Sequence, residues 1–145
     1  TDILGIYKSI NLLEYQFNII DCITNPNSIA LGRPQQIQIY KAVDKLVRIF
    51  QEITDCNIKL SGSSHNNLFL HQSIITLLFI LLDNAIKYSY KAHKIEVEVN
   101  DLENQTTKIE ISSFSPHIEK SSMQNIFEKY YRDEKVNNKF RKDKG

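Results

Sequence analysis

Residues Leu77 to Ser89 read LLFILLDNAIKYS, and the whole chain is best read outward from them. The apolar run holds no Gly or Pro, and its length suits a helix rather than a strand. It closes on Asn84, Lys87 and Tyr88, at positions i, i+3 and i+4, which share one helical face. One surface therefore offers an amide oxygen for a hard metal, a cation for phosphate and a flat ring. That set of groups suits Mg²⁺ with ATP.

The helix is expected from about Gln72 to Ser89, and it is apolar nearly all round at its centre, so it should be buried. Downstream, Lys94 to Asn100 alternates with Ile95, Val97 and Val99 on one face. Thr107 to Ser112 alternates with Ile109 and Ile111. The polar stretch Asp101 to Thr106 between them predicts a hairpin. Pro116 ends the second strand, and Lys120 to Arg132 has helical spacing through Met123, Ile126, Phe127 and Tyr130.

Upstream, Asn57 to Leu60 and Asn67 to Leu70 read as two short strands around a Ser61-Gly62-Ser63 turn. Ala42, Leu46, Ile49, Phe50 and Ile53 predict an amphipathic helix over Lys41 to Asp55, after a strand-like Gln36 to Tyr40. Ile3, Ile6, Ile10, Leu13, Phe17 and Ile20 are spaced 3-4-3-4-3, an a/d seam. Asp2 can cap that helix, and Thr24 to Ser28, with Pro26, stops it. The seam admits two readings, packing against another helix or a core helix of the same domain.

The order of elements predicts an α+β, two-layer sandwich, with helices on one face of an antiparallel sheet. At 145 residues the chain is one domain with room for a short appended element. Hydrophobic residues make up 41% and charged residues 24%, enough to bury a core without disulfides or metal staples. A net charge of +1 gives no field for nucleic acid or an anionic membrane. The charge is uneven. Lys129 to Gly145 holds seven Lys or Arg against three acids, either a solvated tail or a basic flap near an anionic ligand.

Cys22 and Cys56 fit no metal or redox motif, and two unpaired thiols point to a reducing, cytoplasmic setting. No signal peptide pattern is visible. Ile74 to Leu82, interrupted by Thr76, is too short to span a bilayer. No direct membrane contact is expected, although a longer parent protein could be anchored.

With these elements placed, LLDNAIKYS resembles the N box of the sensor histidine kinase ATP-binding domain, a member of the Bergerat-fold ATPases. IFEKYYR, Ile126 to Arg132, resembles the F box of that family, and ISSFSPHI between them stands in the place of its G1 box. N box and F box follow in the family's order, about forty residues apart. The resemblance covers residues 37 to 145. It implies Mg²⁺ binding by Asn84 and contacts to ATP from Asn84, Lys87, Tyr88, Ser113, Ser115, His117, Ile118, Arg132 and Gly145. Val136 to Lys144 would be the ATP lid and Gly145 the first glycine of the G2 box, with the remainder of that box beyond it.

This sequence departs from the family pattern at four positions. The N box has a second Asn four residues before Asn84, where this chain has Ile80, which cannot ligate. The G1 acid that accepts from the adenine amino group is Ser113 here, a neutral acceptor where a charged one bonds roughly twice as strongly. The G1 glycines are Ser115 and His117, whose side chains restrict close approach.

The phosphoacceptor is a His in a His-Glu-x-x-Pro-like setting, which His65, His71, His93 and His117 all lack. No catalytic residue is therefore expected within this stretch. Residues 1 to 28 resemble the second helix of the family's dimerisation hairpin, and 29 to 145 its ATP-binding domain. The resemblance implies a homodimer through that hairpin, a response-regulator partner, and presentation of Mg-ATP to a histidine elsewhere. The alternative is a degenerate kinase-like domain acting in dimerisation or signal relay. Another Bergerat-fold ATPase is disfavoured by the F box.

Overall fold

The computed structural model describes residues 3–27, 32–90 and 93–125, the side chain of Leu4 excepted. Helix α1 (Ile3–Thr24) is followed by β1 (Gln35–Gln38), α2 (Ile39–Ile53), β2 (Ile58–Ser63), β3 (Asn67–Leu70), α3 (Ser73–Tyr88), β4 (Ile95–Leu102) and β5 (Thr106–Ser112). A short 3₁₀ turn, Lys120–Ser122, follows. The helix expected from Lys120 thus begins as a 3₁₀ turn, and Ile126 onward lies outside the described residues.

Strands β2, β4 and β5 form one sheet with β4 in the centre. The alternation in β4 puts Ile95, Val97 and Val99 on the helix side, where all three are fully buried. Each such side chain contributes about 2 kcal/mol relative to exposure. Glu96 and Glu98, between them, are exposed on the other face. Above the buried face lie Val43, Leu46, Val47 and Phe50 of α2 and Leu78, Phe79 and Leu82 of α3, completing a two-layer α+β sandwich.

The sheet is mixed rather than antiparallel. β4 and β5 form the expected antiparallel hairpin, with Val97 opposite Ile111 and Val99 opposite Ile109. β2 pairs with β4 in parallel, Leu60 opposite Val97 and Gly62 opposite Val99. A parallel pair needs a long crossover, and β3 and α3 supply it. β1 and β3 pair apart as a small antiparallel sheet.

The Ser61-Gly62-Ser63 stretch is therefore strand, not turn, and Ser64 to Asn66 link it to β3. Those three residues are held by one carboxylate. Asp101 accepts from Ser64 Oγ at 2.6 Å, from the backbone N–H of His65 at 2.7 Å and of Asn66 at 3.2 Å, and from Thr107 Oγ1 at 2.9 Å. The Ser64 hydroxyl bond, with the other donors, holds the Asp101 carboxyl below its ordinary range. A depressed folded-state pKa gives stability that is complete above the ordinary carboxylate range. It is lost as pH falls through the depressed value. The wild-type urea midpoint should therefore fall more between pH 7 and pH 3 than that of Asp101→Asn. Equal falls would remove Asp101 from the account.

Helix α1 docks by the face that does not carry the seam. Tyr15, 8% exposed, stacks on Phe79 with ring centroids 5.2 Å apart, and Phe79 in turn meets Phe50 at 5.0 Å. Burial pushes the Tyr15 phenol up. Lys8 pairs with Glu52 of α2. Ile3, Ile6, Ile10, Leu13, Phe17 and Ile20 all point to solvent, Phe17 being 67% exposed. The helix thus packs within the domain and still leaves its a/d seam uncovered. Asp2, the expected cap, lies outside the described residues.

Candidate functional site

The site is built on the C-terminal half of α3. Leu78, Phe79 and Leu82 anchor the helix in the core, which fixes the rotation of everything else on it. That rotation leaves Asn84 and Lys87 exposed and Tyr88 half-buried. Ile80, one turn before Asn84 on the same side, is half-buried and brings no polar atom.

The helix ends where Ser89, buried, donates its backbone N–H to Ala85 O at 3.0 Å. The backbone N–H of Tyr90 then donates to Phe114 O at 2.9 Å. Ser89 Oγ lies 3.5 Å from the same carbonyl and donates to it. These bonds tie the end of α3 to the segment following β5. Residues 84 to 88 and the Ser113–Ile118 segment therefore flank one anchored junction. Ser113, Ser115 and Ile118 are half-buried there, and His117 is exposed.

Arg132, Gly145, the F-box-like stretch Ile126 to Arg132 and the stretch Val136 to Lys144 lie outside the described residues. The described part of the site is an open surface.

The chemistry of the donors fits a hydrated Mg²⁺ carried by phosphates. Among the described residues no group of three or more His, Cys, Asp or Glu could hold a metal. Mg²⁺ usually keeps several waters and takes one or two protein oxygens beside substrate phosphates. Asn84 Oδ1, exposed, can supply one, while Ile80 supplies none.

Two further features belong to the site. Lys87 is paired with Asp83, the residue immediately before Asn84. Its signal, an acid four residues before a lysine on a helix, was in plain view. The second is a ring cluster at the anchored junction. His93 stacks on Phe114 at 4.5 Å, and Tyr90 lies 6.2 Å from both. Nothing local links residues 90 and 114, so no periodicity could have found it.

Several cavities border α3. One, of about 520 Å³, lies between α1, α2 and α3 and is lined by Leu12, Gln16, Ile19, Ile80, Asp83 and Lys87 among others. A second, of about 490 Å³, is an apolar groove between Leu77, Leu81 and Ala85 of α3 and Ile109 and Ile111 of β5. A third, of about 460 Å³, holds Cys22 and His71, whose Nδ1 is buried without a hydrogen-bond partner. No described helix is long and apolar enough to cross a membrane.

Residues 70–144, just over half of the chain, match the family model described as "Histidine kinase-, DNA gyrase B-, and HSP90-like ATPase". No curated protein matches the chain. The match begins at the end of β3 and takes in α3, the hairpin and the segment after it, the same elements that assemble the exposed Asn84 face. The chain belongs to the histidine kinase-, DNA gyrase B- and HSP90-like ATPase family, whose fold implies ATP binding.

Proposed function

We propose that this domain is the ATP-binding catalytic domain of a two-component sensor histidine kinase. It presents Mg-ATP to a histidine outside these 145 residues. The observation that carries the reading is the Asn84–Lys87–Tyr88 end of α3, with Asn84 and Lys87 exposed and Tyr88 half-buried, anchored beside Ser113–Ile118. Asn84 takes Mg²⁺, Lys87 meets phosphate as a point charge, and Tyr88 packs beside the nucleotide. Ser113 accepts from the adenine amino group as a neutral partner. Arg132 and Gly145 reach the phosphates from the F box and the G2 box. The F-box-like IFEKYYR in its order after the N box supports the kinase branch over other members of the family.

The domain's work is positioning and charge stabilisation. The acceptor histidine nitrogen bonds to the γ-phosphorus as the bond to the ADP oxygen breaks. A response regulator is the expected onward partner, and the cytoplasm the expected compartment.

Dimerisation through the hairpin that contains α1 belongs to the same proposal. Its support is the uncovered seam from Ile3 to Ile20. Sedimentation should show a dimer that Leu13→Glu with Phe17→Glu converts to monomer; a wild-type monomer at all concentrations would remove this part.

Ile80 and Ser113 favour a second reading, a kinase-like domain that relays signals with little ATP affinity. Titration with a fluorescent ATP analogue in Mg²⁺ decides between them. Micromolar binding supports the kinase, and millimolar or absent binding supports the relay.

A further inference from the structure

Lys87 has two neighbours of opposite meaning on the helix surface. Asp83 lies four residues back and Asn84 three residues back, and both positions are within reach of a lysine side chain. Asp83 and Asn84 are consecutive, so they diverge by about 100° around the helix. Asp83 turns towards the 520 Å³ cavity under α1, while Asn84 turns to solvent. In the structure the Lys87 ammonium is held by the Asp83 carboxylate. A rotation of the lysine side chain alone moves the charge from one side to the other, with no change in the backbone.

We propose that Asp83 is a positioning residue that competes with nucleotide phosphates for Lys87. The proposal rests on the reading of Lys87 as the phosphate-binding cation. Acid before base at i, i+4 is the favourable order for a helical ion pair. Asp83 is the better buried of the two side chains, at 27% exposed against 57% for Lys87, so the carboxylate is the fixed partner and the ammonium the one that moves. Lys87 stands in the last turn of α3, where the helix dipole favours a cation in either position. What phosphate binding gives up is therefore the Asp83 contact alone.

Asp83 sets the phosphate affinity by occupying the cation that would otherwise meet phosphate. Its wall of the cavity faces Gln16 and Ile19 of α1, so the pair also lies where a movement of α1 would alter its surroundings.

The test is isothermal titration of the chain with Mg-ATP, with inorganic triphosphate plus Mg²⁺, and with adenosine. Asp83→Asn and Asp83→Ser should each tighten Mg-ATP and triphosphate about two- to fivefold, the effect expected of a partly exposed ion pair. Adenosine affinity should not change. In a Lys87→Met background the tightening should disappear. Unchanged or weaker Mg-ATP affinity in both variants overturns the proposal, as does tightening that persists without Lys87. Asn84→Asp run alongside separates this from the site assignment. If Asn84→Asp abolishes binding and the Asp83 variants match wild type, only the role of Asp83 falls. If wild type binds no nucleotide, both fall; if Asn84→Asp binds as wild type does while the Asp83 variants tighten through Lys87, only the assignment of Asn84 falls.

Discussion

Asn84→Asp should weaken Mg-ATP binding at least a hundredfold, about 2.7 kcal/mol. The amide of Asn84 is neutral, so its oxygen can face Mg²⁺ while its NH₂ donates to a phosphate or water. A carboxylate removes the donor and adds a negative charge beside a polyanion. At about 6 Å and an effective dielectric near 20, each unit of negative charge on the phosphates repels that carboxylate by about 3 kcal/mol, offset in part by its attraction to the metal. Folding should be nearly untouched, since Asn84 is exposed and its environment in α3 holds no partner that the change would strand. An acid near the helix C-terminus costs about 0.3–1 kcal/mol through the dipole. Displacement of a fluorescent ATP analogue, with a thermal melt as control, measures the effect. Wild-type affinity in a folded variant would remove Asn84 from the site.

Gly62→Ala should cost about 3 kcal/mol or more, a large part of the 5–15 kcal/mol by which domains of this kind are stable. Two causes add. Gly62 has φ of +85°, in the left-handed region that L side chains rarely adopt. A Cβ there would sit 2.3 Å from Val99 O and 2.7 Å from Asn100 Oδ1. The nearer atom is backbone of the central strand, so relief requires β2 and β4 to separate. Val99 is itself fully buried, and the sheet has no slack on that side. Urea denaturation of the alanine variant reads the cost directly. A loss under 1 kcal/mol would mean that β2 and β4 part more easily than their parallel register suggests.

The legible parts of the fold are those whose signal lies inside one element. The period-2 pattern of β4 and β5 fixed the hairpin and its buried face, because a one-residue slip would turn Ile95, Val97 and Val99 to solvent. The apolar run ending on Asn84, Lys87 and Tyr88 places α3 to within a residue at each end. Asn84, Lys87 and Tyr88 were legible for the same reason, since i, i+3 and i+4 geometry is local. Ser113 to Ile118 entered through motif order alone. Their tie to the end of α3, through Tyr90 and Phe114, is a contact between distant residues.

Gly62 shows where such reading goes astray. Ser-Gly-Ser between two apolar stretches has the composition of a turn, and in isolation a chain would turn there. Pairing with β4, thirty-odd residues on, overrides that preference and makes the glycine part of a strand. Helix α1 shows a different kind of ambiguity. It carries the Ile3-to-Ile20 seam and a second apolar face with Leu12, Tyr15 and Ile19. Either could have been buried, and the ring of Phe79 selects the second.

By itself, then, the sequence determined the type of most elements, the hairpin, the face of α3 that carries Asn84, Lys87 and Tyr88, and the family resemblance. Each is written in spacings of a few residues. Only the tertiary structure decided that β2 runs parallel to β4, that the α1 seam stays uncovered, and that Asp101 holds the Ser64–Asn66 link between β2 and β3. It also decided that Asp83 stands over a cavity beneath α1. These placements depend on contacts between residues far apart in the chain, and no local period records them.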